Sequence, residues 1–237
     1  IPVIGWMHEM EGLTKKDVLN FHKAYYHASN AILIVSGDIT AHELKPMAEK
    51  YYGNLPKMPV PQRNWLAEPP QRAARHITLN HPNVKQPEWT RSYMTSSFSY
   101  GNKKEALPLF LVSQLIGGGK TSHLYRTIVV DKKLATAIDT SFNGFSAGPA
   151  EFVISAMPEA GVSLQVLEAA IDAELSHVLA QGFEEADLAR AKILLKAESI
   201  YARDGLSSMA RIMGWVRMAG LGADYFSRWD EMIDAIT

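Results

Sequence analysis

The chain has 237 residues, 47% of them apolar and 21% charged; that is a globular balance, long enough for one large or two modest domains, and it excludes disordered, collagenous and extended coiled-coil classes. Lys and Arg number 24 against 25 Asp and Glu, a formal charge of −1 with neither sign gathered into a block, which speaks against a polyanion-binding surface and so against a nucleic-acid partner. With no cysteine there is no disulfide, no thiolate nucleophile and no cysteine-held metal, and the compartment is left open.

The opening Ile1-Pro-Val-Ile-Gly-Trp6 has no initiator Met, basic region or small-residue cleavage site and reads as a cut inside a longer protein. No run reaches the roughly 20 apolar residues of a membrane span. Thr14-Lys-Lys-Asp17 has the form of a capping box, and Val18, Phe21 and Tyr25 follow at helical spacing, which predicts a helix from Lys15 to Tyr26. The five apolar residues Ala31 to Val35, between Asn30 and Gly37-Asp38, predict a strand buried on both faces. Thr40-Ala-His-Glu43 is a second capping box ahead of Leu44, Met47, Ala48 and Tyr51; Pro46 lacks the N–H an interior helical position needs, so a kink or a later start is expected there.

Between residues 55 and 74 stand Pro56, Pro59, Pro61, Pro69 and Pro70, the composition of a linker. Beyond it, Arg75 to Leu79 and Glu88 to Thr95 read as strands. Leu107 to Ile116 reads as a helix running into Gly117-Gly-Gly119, and His123 to Asp131 as a short second helix. Thr136 to Asn143 and Glu151 to Ala156 alternate about a Gly-Pro turn, as a hairpin does. Leu164, Leu167, Ile171, Leu175 and Val178 mark the apolar stripe of a helix that Gly182 ends, and Ala186, Ala189, Ile193, Ala197 and Ile200 repeat the spacing on the next; both are expected to be packing faces. The remainder, with Trp215, Met218, Tyr225 and Trp229, is helix-rich.

Three patterns invite a catalytic reading. Gly117-Gly-Gly-Lys-Thr121 approaches a phosphate loop, but that motif requires glycine where Gln114 stands and a strand where a helix is expected, so a tight turn needing positive φ fits better. The eight histidines include the neighbours His8-Glu9 and the pairs His22/His27 and His76/His81, none of them spaced as H-E-x-x-H or H-x-x-E-H. Ser96, Ser97 and Ser99 lie in no nucleophile elbow.

Two stretches carry a family resemblance. The first runs from Pro2-Val-Ile-Gly-Trp6 through Leu13-Thr14, Asp17, Phe21, Tyr25-Tyr26, Asn30 and Val35-Ser-Gly-Asp38 to Tyr51-Tyr-Gly-Asn-Leu-Pro56. The second is Leu115-Ile-Gly-Gly-Gly-Lys-Thr-Ser-His-Leu-Tyr-Arg126 with Lys133-Leu-Ala135. Together they resemble the pitrilysin/insulinase family of zinc metallopeptidases, in its branch of paired subunits like the mitochondrial processing peptidase. The resemblance implies an α+β chain with a mixed or antiparallel sheet and helices packed on one face. It implies the C-terminal part of a first, zinc-type domain in residues 1–56, a proline-rich linker in 57–74, and most of a second, inactive-type domain in 75–237.

The departures shape the expected function. The family's inverted zinc motif and its downstream Glu would precede the first matching stretch, so no cofactor is expected in this chain and zinc is expected in the parent protein. Aligning Leu124-Tyr125 and Leu134-Ala135 puts Val129 where the family has a substrate-holding Arg and Thr136 where it has a Tyr; Val has no donor and Thr is too short to reach as a phenol does. The resemblance therefore implies part of a metalloendopeptidase subunit that encloses peptide substrates, with no catalytic or metal residue of its own. The resemblance also implies that Gly117, Gly118 and Gly119 form its substrate-contacting turn and that a second homologous subunit, in a heterodimer or homodimer, is its partner. The alternative is a noncatalytic subunit, or a binding or scaffold module of the same fold. Bacterial periplasm or cell envelope is preferred over cytoplasm.

Overall fold

The computed structural model describes residues 5–62 and 71–237, and the chain divides into two compact units, Ile1–Ile77 and Thr78–Thr237. Pro69 and Pro70, like Pro2 of the first matching stretch, lie outside the described residues.

In the first unit α1 spans Met7–Glu11, α2 Lys15–Tyr25 and α3 Ala41–Tyr52. Both capping boxes form. The Asp17 carboxylate accepts from the Thr14 N–H at 2.9 Å and its hydroxyl at 2.6 Å, and Glu43 accepts likewise from Thr40 at 2.9 and 2.7 Å. These bonds to the ionised form hold both carboxyls below their ordinary range. Helix α3 starts at its box and continues past Pro46, whose missing N–H leaves the His42 carbonyl without its helical donor.

Two expected strands are corrected here. Ala31 to Val35 is extended but unpaired, with Ile32 and Leu33 each 53% exposed, and Arg75 to Leu79 is irregular and exposed. A strand is a property of a pair, and no described segment lies alongside either of them. No described residue of this unit is fully buried. Phe21, Tyr25, Tyr26, Tyr52 and Leu55 instead line an open groove of about 610 Å3.

The second unit is built on an antiparallel sheet of order β1-β3-β2, with β1 at Trp89–Thr95, β2 at Ala135–Phe142 and β3 at Ala150–Pro158. The expected hairpin forms with Phe142 opposite Phe152, and β1 pairs with β3 from Trp89↔Ala156 to Thr95↔Ala150. Period-2 alternation sends Ile138, Phe142, Phe152, Ile154 and Ala156 to one face. There they pack with Ile116 of α4 (Ala106–Gly117) and with Leu167 and Ile171 of α5 (Leu164–Gln181). The other face, with Thr90, Ser92, Asp139, Ser141 and Glu151 beside Met94 and Met157, is exposed, so the helices cover one side of this α+β unit. Arg91 ties β1 to α5 through Glu168 at 2.7 Å and through Asp172.

Helix α5 buries its expected stripe and ends at Gly182 with φ +75°. Helix α6 (Glu185–Asp204) does not follow its expected stripe. Its buried residues are Ala191, Leu195 and Ser199, while Ile193 and Ile200 are 67% and 55% exposed and Ala186 and Ala189 face outward. The helix is apolar on two sides. Packing against Leu111 and Leu115 of α4, and against Trp229 and Ile233 of α8 (Trp229–Asp234), selects the side that includes Leu188. Helix α7 (Leu206–Met218) precedes α8.

Candidate functional site

The three glycines at the end of α4 differ in their reasons for being glycine. Gly117 is buried where α4 crosses β2, and a Cβ there would stand 2.5 Å from Thr140 Cγ2. Thr140 is itself fixed, since its hydroxyl donates to the Ser113 carbonyl at 2.6 Å. Gly118 caps α4, donating to the Gln114 carbonyl at 3.3 Å, and a Cβ on it would lie 2.6 Å from Gln114 Cα. Gly119 alone has positive φ, +138°, with open space around it. The positive-φ turn expected over the whole run is thus a property of one residue. The Gly119 carbonyl accepts from the Ser122 N–H at 3.1 Å and its hydroxyl at 2.6 Å. Among the described residues, Gly119, Lys120 and Thr121 are exposed and their N–H groups have no protein acceptor.

The helix expected over His123 to Asp131 is wound as a π-helix over Tyr125–Asp131, a form common at functional sites. It unwinds through Lys132, whose N–H donates to the Thr127 carbonyl at 3.0 Å, and Lys133, at φ +53° the one described non-glycine residue with positive φ. Lys133 thus begins the Lys133-Leu-Ala135 stretch in a backbone conformation that favours glycine. On this element Leu124 and Ile128 are wholly buried and Val129 packs against the same core. Thr136 is exposed on β2, its hydroxyl 3.4 Å from the Met157 carbonyl. Neither Val129 nor Thr136 presents a strong donor to a ligand.

A cleft beside the turn is lined by Gln114, Thr121, Ser122, His123, Asp187 and Arg190. Asp187, in the first turn of α6, pairs with Arg190 and lies 3.7 Å from Arg126. Spacing in the sequence marks neither arginine as a site residue; Arg126 stands inside the Leu-Tyr-Arg stretch, but Arg190 is brought to it only by the fold. Gln114 donates to Glu198 at 2.9 Å while its buried Oε1 accepts from no protein group.

His123 bonds Glu174 at 2.8 Å, Lys132 bonds the other carboxylate oxygen at 2.5 Å, and the His177 ring stacks 6.3 Å from that of His123. Burial pushes the Glu174 carboxyl up, but Lys132 and His123 outweigh it and hold the group below its ordinary value. An ammonium already occupies the carboxylate, so the residues do not suit zinc. Among the described residues no group of three or more His, Asp or Glu is arranged to hold a metal ion.

Because the folded Glu174 carboxyl titrates below its unfolded value near 4.3, its contribution to stability is present above that pH and is lost as pH falls through the folded value. Glu174→Gln is expected to destabilise the second unit by about 1–3 kcal/mol at pH 7, with the difference closing on acidification below about pH 4. Urea unfolding of both proteins across that range checks it, and a gap that persists in acid refutes it.

Residues 12–195 match the family model of the peptidase M16 inactive domain. The chain belongs to that family. Zinc protease PqqE of Helicobacter pylori is 29% identical over 233 residues, covering 96% of this chain and 49% of that protein. The uncharacterized zinc protease ML0855 of Mycobacterium leprae is 24% identical over 219 residues, covering 89% of this chain and 47% of that protein. The M16 inactive domain here therefore comes from a chain that spans about half the length of the curated relatives it matches. A solved protease from Helicobacter pylori superposes with a TM-score of 0.85 at 24% identity, over 99% of this chain and 56% of its own. The periplasmic protease PqqL of Escherichia coli does so at 0.68 and 12%, over 97% and 25%. These likenesses show the fold. The family named by the two matching stretches of sequence is the one the comparisons return, and the M16 inactive domain is noncatalytic. Among the described residues no helix is long and apolar enough to cross a membrane.

Proposed function

We propose that this chain is the noncatalytic part of a zinc-dependent metalloendopeptidase subunit, and that it helps enclose and bind peptide substrates through the turn that the run Gly117–Gly119 opens, at residues 119–121. The observation that carries the proposal is a run of three exposed residues, 119–121, whose backbone N–H groups have no protein acceptor and which an extended peptide can satisfy with its carbonyls. Residues 1–56 would complete a first, zinc-type domain joined by the linker 57–74 to the domain in 75–237. Supporting this, α2 and the segment after α3 leave Phe21, Tyr26 and Leu55 uncovered. In the parent, the zinc of that first domain would activate water for attack on a peptide carbonyl. A second homologous subunit would complete the chamber, in the periplasm or cell envelope of a bacterium.

Gly119→Ala tests the turn. Placing Ala at φ +138° costs about 1–3 kcal/mol of strain but meets no neighbouring atom. In the complete parent complex, peptide turnover per folded molecule is expected to fall about tenfold or more, since the substituted turn no longer holds its N–H groups in place. Unchanged turnover per folded molecule, with only the melting temperature lowered, would leave Gly119 as a turn residue alone.

A further inference from the structure

We infer that the cleft beside the glycine turn recognises a carboxylate of the bound peptide; the inference rests on the peptide-binding reading above and names its preferred substrate. Two guanidiniums, Arg126 and Arg190, converge on the single carboxylate of Asp187. Each has five N–H donors and a fixed charge, so one positive charge and several donors stay uncommitted. Both side chains remain open to solvent, at 50% and 41% exposed. Lys120 adds a cation on the turn itself, Asp187 is the acidic residue among those lining the cleft, and Glu198 of α6 is bonded to Gln114 of the cleft wall. The other nearby carboxylate, Glu174, is taken by His123 and Lys132.

Size restricts the ligand further. The cleft has a volume of about 20 Å3, room for one water-sized group. A carboxylate oxygen fits it and an apolar side chain does not. Thr121, whose N–H has no protein acceptor, lines the same cleft as Arg190, and a guanidinium beside a free backbone donor is the pairing that favours an anion.

The test uses the 237-residue chain and matched heptapeptides observed by amide chemical-shift titration at low ionic strength. One peptide is acetylated and amidated with a central Gln, a second has a central Glu, and a third keeps the central Gln with a free C-terminal carboxylate. Either or both charged peptides are expected to bind about tenfold more tightly than the uncharged one, and the pattern separates side-chain from terminal carboxylate. The preference should collapse in the Arg126→Gln/Arg190→Gln double variant. Arg126→Gln alone, at the more exposed position, should weaken it where the double variant does not fold. Equal binding of all three peptides at residues 118–121 overturns the carboxylate preference and leaves the peptide-binding turn standing. A preference retained by the folded variants overturns the assignment to this cleft. No shift with any peptide overturns both.

Discussion

Gly117→Ala is expected to destabilise the second unit by about 2–3 kcal/mol, the cost of forcing a methyl into a filled core, which lowers its melting temperature by about 4–12 °C for a unit of this size. The methyl would sit 2.5 Å from Thr140 Cγ2, 2.9 Å from its Oγ1 and 3.0 Å from its backbone nitrogen. The threonine cannot swing aside without breaking its bond to the Ser113 carbonyl, and the backbone nitrogen belongs to the hairpin strand β2. The most economical relief is a shift of α4, which would disturb the contacts of Leu111 and Leu115 with α6 and α8 as well. Thr140→Ser removes the nearest methyl and keeps the hydroxyl, so it should recover part of the loss in the double variant, seen as a coupling in a double-mutant cycle. A Gly117→Ala protein within 0.5 kcal/mol of the parent sequence, a surface-like cost, would show that α4 is not held against β2 as described.

The largest expected effect is on the proposed parent enzyme. Val129 packs into the core of the sheet and Thr136 offers only a short hydroxyl near the Met157 carbonyl, so this chain supplies no strong donor from either place. Losing one such donor to a substrate oxygen costs on the order of 2–4 kcal/mol of transition-state stabilisation, which is roughly 30- to 1000-fold in rate. Full-length parent should therefore cleave peptide about a hundredfold more slowly alone than with a homologous subunit that brings the Arg and Tyr. Titrating purified parent with the product of a neighbouring homologous gene, at fixed peptide, measures this directly. Full activity of the parent alone, unchanged by the partner, would remove the case for a paired enzyme and leave Val129 and Thr136 unexplained.

Glycine placement shows why the site was half legible. The run Gly117–Gly119 stands out in any reading of the chain, and the resemblance supplied its proposed role. Which glycine tolerates a side chain could not be read, because the obstacles belong to Thr140 on β2 for Gly117 and to Gln114 for Gly118. Arg190 and Asp187 reach the turn only because α6 packs on α4.

What the sequence determined by itself is local: the capping boxes of Thr14 with Asp17 and Thr40 with Glu43, the β2–β3 hairpin, the stripe of α5 and its stop at Gly182. Each depends on groups a few residues apart, or on a periodicity with one apolar face, so the chain needs no distant partner to specify it. Tertiary structure decided the rest. Helix α6 carries two apolar stripes and only its neighbours choose Leu195 over Ile193. Ala31 to Val35 has a strand's composition without a strand beside it, and the segment after Leu124 winds as a π-helix that seats Leu124 and Ile128 in the core. For the helix and the π-helix the deciding energy is burial against residues remote in the chain, and for Ala31 to Val35 it is the absence of a paired strand; periodicity and propensity contain neither.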